Sequence, residues 1–207
     1  MQGEVLPISI NSAHVCAELS DGEVVCGEGF IDTRSVEDAR TVGRVWLEPQ
    51  AFITREAAEA IIAADVIVLG PGDLYTSIVP NLLVSGIQKA IAESKARLVY
   101  VCNIMTKSSE TRDFTVADFV DTLLAYGVGR EQFDSVIVNT VLPPNDVLAT
   151  YAAIDRSFPV DFSAPVRERV AEKTKRIVYG DFFNEAGLEQ GLIRHDSHKL
   201  AYQLIQE

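Results

Sequence analysis

The stretch Asp65-Val66-Ile67-Val68-Leu69-Gly70-Pro71-Gly72-Asp73-Leu74-Tyr75-Thr76-Ser77 decides the fold. Val66, Ile67, Val68 and Leu69 are branched and apolar, which predicts a strand buried on both faces, as in parallel sheets. The strand stops at Gly-Pro-Gly. Asp73, Thr76 and Ser77 follow, residue types that cap helix starts or bind oxygen anions. A strand feeding a glycine turn and then a helix start directs backbone N–H groups and the positive end of the helix dipole at a ligand, the geometry of a phosphate site. A plain tight turn uses the same residues. The pattern matches neither the dinucleotide fingerprint nor the Walker loop.

Two further buried strands follow. Arg97-Leu98-Val99-Tyr100-Val101-Cys102 ends in Asn103-Ile104-Met105-Thr106, and Asp134-Ser135-Val136-Ile137-Val138 ends in Asn139-Thr140 before Pro143-Pro144. Pro80 is expected to break any helix begun at Asp73. A new helix over 81–92 then turns Leu82, Leu83, Gly86, Ile87, Ala90 and Ile91 inward. Residues 107–113 are polar and read as a loop with room to move. Thr115 and Asp118 make a capping box, Phe114 and Phe119 a hydrophobic staple, and Gly127 stops the helix they start. Strand–helix–strand–helix–strand with long crossovers is a right-handed parallel unit. The expected fold is therefore α/β, a Rossmann-like parallel sheet with flanking helices, with Gly70, Asn103 and Asn139 at one sheet edge. Ligands bind beyond the carboxyl ends of such strands.

The first 50 residues read as a β-hairpin subregion and 51–207 as the parallel core, one domain in all. Residues 5–10 are a short strand candidate. Residues 14–19 and 23–26 flank Ser20-Asp21-Gly22, a hairpin signal. With Asp21-Gly22 as a two-residue turn, Leu19 faces Val24 and Ala17 faces Cys26. That register puts Val15, Ala17, Leu19, Val24 and Cys26 on the core face and Cys16 on the other, so no Cys16–Cys26 disulfide or shared metal is expected. His14 reads as a strand-start residue. Residues 29–41 read as a loop, and Arg44-Val45-Trp46-Leu47 as a strand ended by Glu48-Pro49. Thr54 caps a helix over 55–64 with Ala57, Ala58, Ile61 and Ile62 on its apolar stripe.

Composition narrows the classes. The 207 residues carry 30 acidic against 18 basic side chains, a net charge of −12, without a Lys/Arg cluster. Nucleic acid is therefore not expected as a partner. No run reaches the ~20 apolar residues of a membrane span, and Met1-Gln2-Gly3-Glu4 does not begin a signal peptide. Three cysteines without paired spacing point to a cytoplasmic protein.

The C-terminal third offers a short helix over 147–154, a loop over 155–164, the strand Arg176-Ile177-Val178-Tyr179 and a terminal helix capped by Asp196, with Leu200, Ala201, Leu204 and Ile205 as its buried side. His195 and His198 are i,i+3 neighbours, but no Glu or Cys completes a ligand pattern, and they read as surface histidines. Gly-x-Ser-x-Gly is absent and no motif pairs a Cys or Ser with a His. Cys102 reads as a small core residue. No catalytic or metal-binding residue is assigned.

Gly70-Pro71-Gly72-Asp73-Leu74-Tyr75-Thr76-Ser77-Ile78-Val79-Pro80-Asn81-Leu82-Leu83-Val84 resembles a hallmark of the gluconeogenesis factor family, which is related to 2-phospho-L-lactate transferase. Tyr100-Val101-Cys102-Asn103-Ile104-Met105-Thr106, with Glu110-Thr111, resembles its second hallmark. Leu6-Pro7, and His195-Asp196 with Lys199-Leu200, also resemble family signatures. The resemblance covers essentially the whole chain. The family's opening Gly-Gly-Gly-Thr-Gly loop and Asp-Asp-Gly-Gly-Ser stretch are not found, so the chain resembles the C-terminal part of a longer architecture. Asp73 stands where the family usually has Ser.

The resemblance implies a cytoplasmic, non-catalytic regulator that binds nucleotide sugars such as UDP-N-acetylglucosamine and influences carbon use and cell shape. The transferase branch implies instead a phospholactyl transfer from a guanosine diphosphate carrier, with magnesium beside the diphosphate. A third reading is a degenerate module that only associates with other subunits. The candidate ligand-binding residues are Gly70, Pro71, Gly72, Asp73, Tyr75, Thr76, Ser77, Asn81, Asn103 and Thr106. Asp73 is expected to cap the helix after it, accepting the N–H of Tyr75 or Thr76; the alternative is that it holds a divalent cation. Lacking the family's first strands, the chain is expected to cover its exposed sheet edge or apolar face by forming a homodimer.

Overall fold

The computed structural model describes residues 3–206. Met1 and Gln2, which open the segment read as lacking a signal peptide, lie outside the described residues. Two sheets organise the chain. The larger has four parallel strands in the order β4 (Val66–Leu69), β5 (Arg97–Val101), β6 (Phe133–Asn139) and β7 (Thr174–Gly180). The smaller is antiparallel, with β1 (His14–Leu19) between β2 (Val24–Cys26) and β3 (Val42–Glu48).

Spatial order follows chain order in the large sheet, so successive crossovers step in one direction and lay their helices on one face. These are α4 (Ile87–Glu93), α5 (Val116–Ala125) and α7 (Ala164–Ala171). Strand residues alternate between faces. Leu98, Tyr100, Val136 and Val138 meet Ile87, Ile91, Phe119, Leu123 and Val170 in the main core. Val99, Val101 and Ile137 face the other way, with Phe182, against Leu200 and Leu204 of α9 (Ser197–Gln206). Val15, Ala17, Leu19, Val42 and Val45 of the small sheet join the main core. The Tyr126 hydroxyl oxygen accepts the Val45 N–H at 2.7 Å and so ties the end of α5 to β3.

Several expectations hold. The strands at 66–69, 97–101 and 133–139 are adjacent and parallel. The Thr115–Asp118 capping box is complete, and the Phe114 and Phe119 rings meet edge-on at 5.5 Å. Thr54 Oγ1 accepts the Ala57 N–H at the start of α2 (Arg55–Ala63). Asp196 accepts the N–H groups of His198 and Lys199 at the start of α9.

Others are corrected. β4 is an edge strand and Val68 is 40% exposed, so it is not buried on both faces; β5 and β6 are. Pro80 does not break the helix. Leu74–Ile78 forms a π-helical turn that runs directly into α3 (Val79–Leu82). The widened turn shifts the hydrogen-bond ladder ahead of Pro80, which has no N–H to contribute. The break comes later, at Gly86, which is left-handed (φ 101°) and precedes α4 instead of facing inward within a longer helix. Residues 29–41 begin inside a short helix, α1 (Glu28–Asp32). The helix α6 runs over Asn145–Asp155, and α7 was not anticipated because its apolar positions are few. A last short helix, α8 (Glu185–Leu188), precedes α9. Of the stripe expected on α9, Leu200 and Leu204 pack inward while Ile205 is 82% exposed.

The hairpin is offset by one residue from the expected register. Cys16 pairs with Cys26, Ala17 with Val25 and Glu18 with Val24. The turn uses three residues: Leu19 bonds Glu23 through its N–H, Gly22 donates to the Leu19 carbonyl, and Gly22 takes φ 87°. A one-residue slip sends every side chain to the other face. Val25 therefore turns inward, Val24 is 53% exposed, and the two cysteines share a face. They form a disulfide across a Cα–Cα distance of 4.0 Å, contrary to the sequence reading; Cys102 is free and buried, as expected.

Two glycines separate backbone conformation from space. Gly22 is left-handed with nothing near an added Cβ, whereas at Gly129 (φ 73°) a Cβ would lie 2.2 Å from the Gln88 carbonyl oxygen. Gly22→Ala should cost about 1–2 kcal/mol, the left-handed penalty alone. Gly129→Ala should cost ~1–3 kcal/mol more, because backbone must move. Urea denaturation of both variants checks this, and equal losses would contradict it.

Candidate functional site

The carboxyl ends of β4, β5 and β6 carry the loops that build the site, as parallel-sheet geometry directs. Pro71, Gly72, Asp73 and Ser77 after β4, and Asn103, Ile104 and Met105 after β5, line a cavity of about 670 Å³. Tyr151 of α6 and the segment Ile193, Arg194 and His195 close it from the other side. That volume lies within the range of small-molecule sites, roughly 300–1,000 Å³. A second hollow of about 440 Å³ shares Asp73, Asn103, Met105 and Tyr151 and includes Thr106 and Lys107. Gly70 and Asn81 line a third, of about 340 Å³, with Pro71, Gly72 and Ser77.

The expected site residues do not all face these cavities. Asn103 clasps the glycine turn: its Nδ2 donates to the Gly72 carbonyl at 2.8 Å and its Oδ1 accepts the Gly72 N–H at 3.3 Å. Tyr75 is buried, its ring edge-on to Phe114 and Tyr126. Burial pushes its hydroxyl up to about 12. Thr106 is buried and accepts the Phe158 N–H, splinting the loop after β5 to residues 158–160. Asn81 donates to the Ser77 carbonyl and steadies its own turn. Cys102 is fully buried, its thiol pushed up to about 12, which suits a core residue.

The residue that organises the turn after β4 is Glu110, which the motif reading quoted without assigning it a role. It sits 3% exposed in the loop after β5. One carboxylate oxygen accepts the Tyr75 N–H at 2.6 Å and the other accepts the Thr76 hydroxyl at 2.7 Å. The helix start after Gly-Pro-Gly is thus already supplied with an anion from within the chain. Burial raises the Glu110 carboxyl, opposed by those two hydrogen bonds and by Lys107. The loop over 107–113 is accordingly no mobile segment: Ser108, Ser109, Glu110 and Thr111 are all buried. Its polar composition hid this, because a polar run whose carboxylate and ammonium find partners inside the fold reads like a solvated one.

Asp73 does not cap the helix. It occupies the N-cap position with no side-chain cap bond, since Glu110 has taken the Tyr75 N–H. Its carboxylate instead pairs with the Lys107 ammonium at 2.7 Å, and Asp32 of α1 pairs with the same ammonium from the small-sheet side. Glu110 is 3.8 Å from it. Burial raises Asp73 and lowers Lys107. Oxygens of Asp32, Asp73 and Glu110 approach within 4.8 Å of one another, the spacing of a cation cage. The magnesium that the transferase branch implies does not fit this arrangement. It demands about six oxygens at ~2.0–2.1 Å, and the ammonium already stands among the three carboxylates while both Glu110 oxygens hold the β4 turn.

His195 is not a surface histidine. It lines the main cavity, its Nε2 is buried without a hydrogen-bond partner, and burial pushes it down to about 4. His198 is exposed. Sequence reasoning missed His195, Arg194, Tyr151, Lys107 and Glu110 because each reaches the site through chain folding and not through spacing.

Comparison with known proteins places these features. Residues 1–183 match the model of the family described as 2-phospho-L-lactate transferase CofD. The chain is 39% identical to a putative gluconeogenesis factor of Nostoc sp. over 99% of its own length and 43% of that protein's. It is 35% identical to the gluconeogenesis factor of Bacillus subtilis over 99% of its length and 61% of that protein's. It therefore spans about two fifths to three fifths of the length of these relatives. A crystal structure of a UPF0052 family protein from Bacillus halodurans superposes with a TM-score of 0.86 at 36% identity, covering 98% of this chain and 62% of that one.

His195 supplies a pH test. Its folded value near 4 lies below the ordinary 6.5, so the unfolded chain binds the extra proton between them. Its contribution to stability is full above pH ~6.5 and is lost as pH falls toward ~4, with a slope of at most about 1.4 kcal/mol per pH unit. His195→Gln should remove that slope from unfolding free energies measured between these limits; an unchanged profile would contradict the assignment.

Proposed function

The chain belongs to the 2-phospho-L-lactate transferase CofD family, and from that premise we propose that it is a nucleotide-sugar-binding regulator of the gluconeogenesis factor type, acting in the cytoplasm on carbon metabolism and cell shape. One observation carries the reading. Both hallmark stretches and the His195-Asp196 signature, far apart in sequence, converge on one cavity of about 670 Å³ at the carboxyl edge of the sheet. A cavity this large exceeds a lone phosphate and suits a diphosphate with a sugar or base attached. Arg194 offers the cationic group for the diphosphate and Ser77 a hydroxyl. Gly70, Pro71, Gly72 and Asn81 form the adjoining wall. His195, neutral at pH 7 because burial holds it low, offers Nε2 to a sugar or base without adding charge. Self-association through the open edge of β4 belongs to the same proposal, since Val68 there is 40% exposed.

The test is a thermal-shift series. UDP-N-acetylglucosamine at about 100 times its Kd should stabilise by about 2.7 kcal/mol, a rise of roughly 5–10 °C at this chain length. Free N-acetylglucosamine should do far less. Arg194→Met should lose the shift while keeping its ligand-free Tm. No shift with uridine, guanosine or adenosine diphosphates at millimolar concentration would favour a module that only associates with other subunits.

A second reading, phospholactyl-type transfer from a nucleoside-diphosphate-linked substrate, has one observation in its favour: the description of the matching family model. Phosphorus NMR of the protein with a guanosine-diphosphate-linked donor and an acceptor alcohol separates the two, because only the transferase breaks the diphosphate bond, joining the acceptor oxygen to the substituted phosphorus as a new phosphodiester and releasing guanosine monophosphate.

A further inference from the structure

The carboxylates beside the cavity have a cation of their own. Lys107 extends from the loop after β5 to Asp73 at 2.7 Å on the β4 turn, and to Asp32 on α1, with Glu110 at 3.8 Å. These are three separate parts of the fold, and the ammonium is the group they share. Glu110 has a second positive neighbour: Arg34, its side chain only 6% exposed, feels the Glu110 charge and binds the Ser109 carbonyl next to it. Lys107 is therefore the cation on which Asp32 and Asp73 depend, and Asp73 lies on the wall that the cavity presents to a ligand.

We infer that Lys107 is the resident cation of this site, a positioning residue that stands where a divalent ion would and makes binding of a diphosphate-bearing ligand independent of metal. The reasoning is electrostatic. Asp73 on the wall of the main cavity, with Asp32 beside it in the adjoining hollow, repels a diphosphate unless a cation intervenes. An ammonium supplies that charge with three donors and no demand for octahedral coordination. A metal ion would have to displace it, since two cations within hydrogen-bond range of the same oxygens repel one another. Removing the lysine should open a divalent site on Asp32 and Asp73, the two carboxylates it leaves unpaired, with water completing the coordination. The ligand part of this inference rests on the nucleotide-binding reading; the cation part does not.

The test has two arms. In the first, MnCl2 is titrated into the nucleotide-free protein and free Mn²⁺ is followed by electron paramagnetic resonance. The wild type should fill no site below millimolar concentration. Lys107→Met should take up one Mn²⁺ per chain, and Lys107→Met with Asp73→Asn should lose it. A wild-type site that Asp73→Asn abolishes would overturn the inference, as would a folded Lys107→Met that takes up none. If circular dichroism shows Lys107→Met unfolded, Lys107→Gln carries the same test, its amide able to keep bonds to the carboxylates. In the second arm, calorimetry measures UDP-N-acetylglucosamine. Wild-type affinity should be unchanged by EDTA. Lys107→Met should bind on the order of tenfold more weakly and recover with Mn²⁺, while Lys107→Arg should bind without metal. Wild-type binding that chelation weakens would overturn the inference. A nucleotide that fails to bind at all defeats the ligand reading and leaves the manganese arm to decide the cation.

Discussion

A buried carboxylate needs partners, and the site of this protein is assembled around that requirement. Glu110 lies in the interior with both oxygens accepting hydrogen bonds from the turn after β4. Leaving such a group without them would cost several kcal/mol. The loop after β5 and the turn after β4 must therefore form together. Asn103 repeats the connection at Gly72 with a two-way pair of hydrogen bonds. The glycine turn is held from two points, and its cavity-facing residues are set before any ligand arrives.

The same clasp settles the local charges. Because Glu110 satisfies the Tyr75 N–H, Asp73 is released from the capping role its position suggests. It turns to Lys107, which also reaches Asp32 at the end of α1. The small-sheet region is thereby joined to the large sheet by this ion-pair cluster at the cavity, as it is by the Tyr126 hydroxyl accepting the Val45 N–H deeper in the core. Tyr75 packs against Tyr126, so the site turn is continuous with the second joint. The C-terminal segment completes the cavity from across the sheet edge, with α9 anchored on the opposite face by Leu200 and Leu204.

Local pattern determined a good deal. The branched apolar runs at 66–69, 97–101 and 133–139 specify strands whichever neighbours they find, and their parallel order follows from helical crossovers. The Thr115 capping box, the Thr54 and Asp196 caps and the Phe114–Phe119 staple all act over three to five residues, so the chain carries them complete. The two hallmark stretches also lay open in the sequence, which is why the family did, and with it a candidate site to examine.

Tertiary structure decided what depends on distant partners. The hairpin register differs by one residue because the turn admits two lengths, and burial of Val25 against the core selects the longer one; the Cys16–Cys26 disulfide follows from that slip. Pro80 stays helical because the turn before it widens, with Glu110 holding its start. The segment over 107–113 is buried with partners brought from elsewhere: Asp32 and Asp73 pair with Lys107, and Tyr75 and Thr76 donate to Glu110. His195 enters the cavity through the fold of the last 30 residues or so, and its burial, not its neighbour His198, sets its charge. Periodicity reports the burial of apolar side chains; it is silent on buried polar groups, whose place is fixed by partners the chain brings from elsewhere.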